Sequence, residues 1–284
     1  MNINERFNTP VYLDHHSTTP IDSHALEVLT QNLSEDFGNP HSTSIHGRRA
    51  HANLERARQQ AADLIGALPK EICFVAGATE ANNLAVQGLA HQKALGRTKI
   101  ITSQIEHSCV LESVRHMATH YGFEIVENRT NNEGLIDLDA LSDSLDDTVA
   151  LVSVMMVNNE IGVIQPIKDI ARLGHAVGAI VHTDAAQAVG KLPIDVDDLD
   201  IDLLSISAHK MYGPQGVGAL FVRDGTPLQP ITFGGAQQRY QSGTVPSALC
   251  ASFGSACDIS KGRLDQDRDS FRFLQKRLWG EIQS

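Results

Sequence analysis

The sequence predicts an α/β fold, a mostly parallel sheet with helices on both faces, and three observations predict it. Short apolar, β-branched runs recur along the chain, helical patterns separate them, and polar residues gather just after the runs. In such sheets ligands bind beyond the carboxyl ends of the strands, so function is sought in the residues that follow each run.

The chain has 284 residues, 42% of them apolar, enough for one large domain or two small ones. Its net charge of -11, with 23 Lys and Arg gathered in no stripe, argues against nucleic-acid binding. The four cysteines, Cys73, Cys109, Cys250 and Cys257, lack CxxC spacing and read as thiols in a reducing compartment, so a cytoplasmic location is expected. Met1 to Arg6 holds no apolar signal core, and no run approaches the roughly 18 apolar residues of a membrane span. No membrane partner is expected.

Val11 to Asp14 reads as a short strand-like run in an arm over residues 1–20 that packs on the main body. The adjacent His15 and His16 have no third ligand at a suitable spacing and are assigned no metal. Ile21 to Leu33 looks helical, and the turn cluster Phe37-Gly38-Asn39-Pro40 ends that stretch. From His46 to Ile65 the positions Ala50, Leu54, Ala57, Ala61 and Ile65 repeat as one face of a helix. Strand runs follow at Ile72–Val75, Lys99–Thr102, Val149–Val154, Ala179–His182, Leu203–Ile206 and Ala219–Val222. Gly213 to Gly218 fits G-x-G-x-x-G only loosely; it precedes a strand instead of opening a helix, and reads as a turn.

After the first run, Gly77-Ala78-Thr79 leads into a helix. Gly77 permits a tight turn and Thr79 suits an N-cap, so free N–H groups converge with a hydroxyl in an anion cradle. Ordinary capping reads the same way. After the second run His107 stands where an imidazole can face a ligand or cap a helix, and after the third come Asn158, Asn159 and Glu160. After the fourth, Asp184 places a carboxylate that faces a ligand or caps a helix. The fifth ends in Ser207, His209 and Lys210, and an amine closing an apolar run is partly desolvated and therefore nucleophilic. A cradle, an imidazole, an amide, a carboxylate and a lysine make the set that pyridoxal phosphate requires.

The ordered motifs Tyr12-Leu13-Asp14 to Thr18-Thr19-Pro20, Phe37-Gly38-Asn39-Pro40, Gly77-Ala78-Thr79-Glu80, Glu106-His107, Asn158-Asn159-Glu160-Ile161-Gly162, Asp184-Ala185-Ala186-Gln187, Ser207-Ala208-His209-Lys210 and Ser242-Gly243-Thr244 resemble the cysteine desulfurases of the class V aminotransferase group. The resemblance covers nearly the whole chain. It implies the large domain of a fold type I pyridoxal-phosphate transferase, homodimeric, turning L-cysteine into alanine and passing sulfur to an acceptor protein for iron–sulfur cluster or other sulfur metabolism. It also implies that Lys210 attaches the cofactor, that Asp184 pairs with the pyridine nitrogen, and that Asn159 and Gln187 contact the ring oxygen. By the same resemblance Ala78, Thr79, Ser207 and His209 hold the phosphate, Thr244 reaches it from the neighbouring subunit, and His107 stacks on the ring and moves protons.

In the family a mobile cysteine attacks the substrate sulfur and an arginine holds the substrate carboxylate, both within a later, smaller domain. The expected organisation is therefore an arm (1–20), a cofactor domain (21–258) and a connecting helix (259–284), with the small domain absent. Gly254-Ser255-Ala256-Cys257 imitates the family's cysteine loop, but Leu249, Phe253, Ala256 and Ile259 are spaced as a helix face. Cys109 has a weaker claim through its nearness to His107, and Cys73 reads as strand core. Gln241 stands where the family usually has an arginine. The alternatives are another class V lyase or aminotransferase, and a non-catalytic cofactor-binding or dimerisation module with an apolar patch near Trp279.

Overall fold

A computed structural model describes residues 10–283. Residues 1–9 of the expected arm, and Ser284 at the end of the expected connecting helix, lie outside the described residues. The strands are β1 (Ile72–Val75), β2 (Lys99–Ser103), β3 (Glu124–Asn128), β4 (Val149–Ser153), β5 (Ile180–Asp184), β6 (Leu203–Ser207) and β7 (Gly218–Val222). They form one seven-stranded sheet in the order β1-β7-β6-β5-β4-β2-β3. The stretch β6-β5-β4-β2-β3 is parallel, and β7 runs antiparallel to both of its neighbours.

Burial on both faces explains the composition of the central strands. Every residue of β4, β6 and β7 is buried, as a sheet covered on both sides requires. The alternation of the strand then divides neighbours between two cores. Ile72, Phe74, Ile101 and Leu204 pack with α2 (Ile45–Ile65), α6 (Ile167–Ala176) and α8 (Ser247–Gln283). Cys73, Val75, Ile100 and Leu203 pack with α3 (Ala78–Gln87) and α4 (Ser108–Tyr121) on the other face. The remaining helices are α1 (Ser23–Ser34), α5 (Leu138–Ser144) and α7 (Val196–Leu199).

Local chemistry sets the helix ends. Asp22 accepts from the His24 N–H to open α1, and Ser44 accepts from the Gly47 N–H to open α2. The left-handed Gly66 closes α2. The expected face of α2 is the buried one: Ala50, Leu54, Ala57, Ala61 and Ile65 all lie inside.

Four sequence readings differ from the fold. Val11 to Asp14 forms no strand, and Val11 and Leu13 are largely exposed; an extended run needs a neighbour to pair with, and here none is present among the described residues. Thr79 is not the N-cap of α3, because the helix begins one residue earlier, at Ala78, with Gly77 before it. Strand β3 carried no signal, since its glutamates and half-exposed positions give an edge strand no continuous apolar run. Helix α8 passes without a break through the expected boundary at 258/259, and the burial of its side chains ends at Ser260.

Helix α8 lies against α2 at close range. A Cβ on Gly254 would stand 2.5 Å from Ala57 Cα and 2.8 Å from its Cβ, so only glycine permits this approach. Gly254→Val is therefore expected to lower stability by about 1–3 kcal/mol or more through overpacking. Urea unfolding measures it, and a midpoint equal to that of the wild type would refute this account of the contact.

Candidate active site

The carboxyl ends of β4, β5 and β6, with the turns after β1 and β2, surround a cavity of about 1030 Å³. Its floor carries Asp184, the last residue of β5. Ser207 ends β6, and His209 and Lys210 follow on a short 3-10 turn that aims both into the cavity. Ala78 and Thr79 enter at the first turn of α3, His107 at the N-cap of α4, Asn159 beyond β4 and Gln187 beyond β5. Nine of the ten residues expected at the site thus line one cavity. Thr244 does not: it is exposed and outside this chain's own pocket.

Asp184 is buried, yet both carboxylate oxygens are satisfied. Oδ1 accepts from the Ala186 N–H at 2.9 Å, and Oδ2 accepts from Asn82 Nδ2 at 2.6 Å. Among the described residues it makes no ion pair. Burial raises its carboxyl above the ordinary value, while those two hydrogen bonds, with His107 and Lys210 nearby, oppose the rise. An anion in this state favours a cationic guest.

Lys210 lies across the cavity from that acid. Burial lowers its basicity, with Asp184 and Asp14 pulling the other way, and its amine donates to the His16 carbonyl. Gln187 Nε2 donates to the same carbonyl at 2.8 Å, while its Oε1 accepts from Lys191 Nζ at 2.8 Å. Thr19 N–H and Oγ1 both donate to the His209 carbonyl, at 2.8 and 3.0 Å. The arm is thereby tied to the lysine turn by its backbone, and the exposed His16 contributes a carbonyl where its ring promised only polar surface.

A recess lies at the N-terminus of α3, where the first-turn N–H groups have no helical partners. Gly218 makes the recess compact: a Cβ there would stand 2.9 Å from Gly77 Cα and 2.3 Å from the Ile206 carbonyl. Next to His107, Glu106 Oε1 accepts from Ser103 Oγ at 2.5 Å and from the Met155 N–H at 2.8 Å, fixing the turn that carries His107. Its Oε2 is buried without a partner, and burial pushes the carboxyl up to about 8.

Asn82, Glu106 and Lys191 escaped the sequence reading. Asn82 had a legible signal, a polar side chain on the apolar stripe of Ala81, Leu84 and Ala85, whereas Glu106 and Lys191 act through folds of the chain that no spacing encodes. Of the cysteines, Cys73, Cys250 and Cys257 are buried, and burial raises the thiols of Cys73 and Cys250 to about 12. Cys257 lies within α8, as the helical spacing indicated. Only Cys109 lines the cavity among the described residues. Gln241, in place of an arginine, bonds inside its own chain to Glu80 and Thr232.

A sheet whose strand ends converge on a lysine, a buried aspartate and a helix N-terminus makes the strand-end pocket in which α/β proteins bind their ligands. The Aminotransferase class-V family model matches residues 11–284, and the chain belongs to that family. It is 47% identical over 273 residues to a probable mitochondrial cysteine desulfurase of Dictyostelium discoideum, covering 95% of this chain and 60% of that protein. Among solved structures, a NifS-like protein superposes with a TM-score of 0.94 at 33% identity, over 97% of this chain and 76% of the other. A structure titled SspA in complex with cysteine gives a TM-score of 0.84 at 39% identity, over 88% and 72%. The chain spans about 60% of the length of the curated relatives it matches.

Glu106 supplies a stability test. Its folded-state pKa of about 8 lies above the 4.5 of an ordinary glutamate, so between those values the folded chain keeps a proton that the unfolded chain releases. Its stability contribution is therefore lost as pH rises through that window. Glu106→Gln, which mimics the protonated acid, is expected to gain on the wild type from pH 5 to pH 8 by on the order of a few kcal/mol. Parallel melting-temperature curves for the two proteins would exclude a buried neutral Glu106.

Proposed function

We propose that this chain binds pyridoxal phosphate in the strand-end cavity and carries out the cofactor-dependent part of a cysteine desulfurase reaction. In that reaction the sulfur of L-cysteine passes to an acceptor thiol, so that cysteine and R–SH become alanine and R–S–SH. One observation carries the reading. An amine of lowered basicity, Lys210, and a buried carboxylate with no cation, Asp184, face one cavity beside an open helix N-terminus.

These residues fit pyridoxal phosphate. When bound it supplies an electron sink for charge developing at the substrate's α-carbon. Lys210 offers the amine that holds the aldehyde carbon, and Asp184 keeps a proton on the pyridine nitrogen through a charge-assisted bond. Ala78, Thr79, Ser207 and His209 bind the phosphate, and burial with the nearby Lys210 lowers the His209 pKa. Gln187, its Oε1 occupied by Lys191 and one amide hydrogen by the His16 carbonyl, has one N–H left to offer the ring oxygen beside Asn159. His107 covers the ring and moves the substrate's proton.

Thr244, exposed and away from its own pocket, supports a homodimer in which it reaches the partner's phosphate. The sulfur leaves through an acceptor protein in iron–sulfur cluster or other sulfur metabolism. Four unpaired thiols support a reducing compartment such as the cytoplasm.

One observation favours the second reading, another class V lyase or aminotransferase. Cys109, the cavity's only thiol among the described residues, is hydrogen-bonded to the amide that holds Asp184. Chemistry without an enzyme thiol needs nothing more from this pocket.

Protein mixed with pyridoxal phosphate is expected to develop a visible absorbance band that borohydride fixes to Lys210, and Lys210→Ala is expected to abolish both band and adduct. No band in the wild type ends both enzyme readings. With the band present, alanine formed from cysteine with dithiothreitol as the acceptor selects desulfuration. Turnover of other amino acids, with none of cysteine, selects the second reading.

A further inference from the structure

A hydrogen-bonded chain joins Asp184 to His107, two residues that line the cavity. Asn82, fully buried in α3, uses both amide hydrogens: one goes to Asp184 Oδ2 at 2.6 Å, the other to Cys109 Sγ at 3.1 Å. Cys109 Sγ in turn lies 3.0 Å from His107 Nδ1, which also accepts the Cys109 backbone N–H at 3.2 Å. One atom of the group is left over: Asn82 Oδ1 is buried and has no partner.

The polarity of this chain follows from its anionic end. An ionised carboxylate can only accept, so Asp184 fixes the Asn82 amide with its nitrogen inward, at the cost of leaving Oδ1 unpaired. The second N–H then points at Cys109, whose sulfur becomes an acceptor there and has its own hydrogen left to give. Burial raises the Cys109 thiol, which keeps that hydrogen in place. His107 Nδ1 already accepts a backbone N–H, so it is the unprotonated nitrogen and receives the thiol hydrogen as well.

We propose that Cys109 and Asn82 are positioning residues which transmit the ionisation of Asp184 to His107, holding the imidazole as the Nε2–H tautomer. The nitrogen that exchanges protons with a substrate is then Nε2, and the thiol is a hydrogen-bond donor and no nucleophile. Protonation of Asp184 would remove the reason for the amide's orientation and with it the thiol's. The functional meaning rests on reading the cavity as a pyridoxal phosphate site, but the chain itself is a property of the protein without cofactor.

The test is accordingly made on cofactor-free protein. Two-bond ¹H–¹⁵N spectra of ¹⁵N-labelled protein show which nitrogen of each histidine is protonated, and His107→Gln identifies the His107 signals by their loss. The wild type is expected to show His107 as Nε2–H. Cys109→Ser, which keeps a donor, is expected to match it. Cys109→Ala should move the Nδ1 resonance toward that of a free ring nitrogen and lower the Nε2–H to Nδ1–H ratio about fivefold, the effect of one neutral hydrogen bond. Asn82→Ala should act in the same direction.

A wild type in the Nδ1–H form overturns the proposal, as does a Cys109→Ala spectrum identical to the wild type or a Cys109→Ser spectrum that follows Cys109→Ala. Should Asn82→Ala fail to fold, the serine and alanine pair at position 109 decides alone. Absence of the cofactor's visible band leaves the tautomer result standing, so failure of the functional reading and failure of this one are told apart.

Discussion

The site depends on burying one carboxylate without a counter-ion. Stripping Asp184 of water costs several kcal/mol after relaxation, and two hydrogen bonds, from Ala186 and Asn82, hold down that cost without cancelling the charge. Those donors demand particular neighbours. The Ala186 N–H exists there because β5 turns at Asp184, and the Asn82 amide arrives because α3 crosses the same sheet face, packed through Ala81, Leu84 and Ala85. Parallel β4, β5 and β6 then bring their carboxyl ends to one edge, so the amine, the acid and the cradle converge as a consequence of topology.

Below that edge the sheet carries a second polar row. His182, two residues before Asp184 on β5, has its ring nitrogens at 2.8 Å from Ser153 Oγ and 3.0 Å from Ser205 Oγ, on the strands to either side. Burial pushes its pKa down to about 3, so it stays neutral and brings no second charge beneath the acid. A neutral imidazole satisfied on both sides costs little to bury, whereas an imidazolium there would neutralise Asp184's attraction for a cationic ring.

Much of this was legible because strands of a sheet covered on both faces are largely apolar, the antiparallel β1 and β7 like the parallel ones, which is why β1, β2, β4, β5, β6 and β7 could be placed from the residues alone. His107, Asp184 and Lys210 were legible as polar groups at or just past the strand ends, although His107 also caps α4. Illegibility had equally physical causes. Strand β3 is an edge with glutamates on it; Val11 to Asp14 had the composition of a strand but no partner; and the start of α3 at Ala78 was set by where β1 ended. Glu106 looked like the neighbour of a histidine, and only the fold reveals it as the clamp between the β2 turn and Met155.

Two lysines approach the pocket with lowered basicity, and comparing them separates chemistry from position. Lys191 is brought down to about 8 by burial and by Lys210's charge, so its amine is the more readily freed of its proton than an ordinary lysine's. It nevertheless spends that amine on Gln187 Oε1 and does not line the cavity. Lys210 keeps some basicity because Asp184 and Asp14 oppose its burial, yet it stands in the cavity with the His16 backbone carbonyl as its one hydrogen-bond partner among the described residues. Nucleophilicity alone would favour Lys191. Access selects Lys210, which lines the cavity, and leaves Lys191 to orient the Gln187 amide.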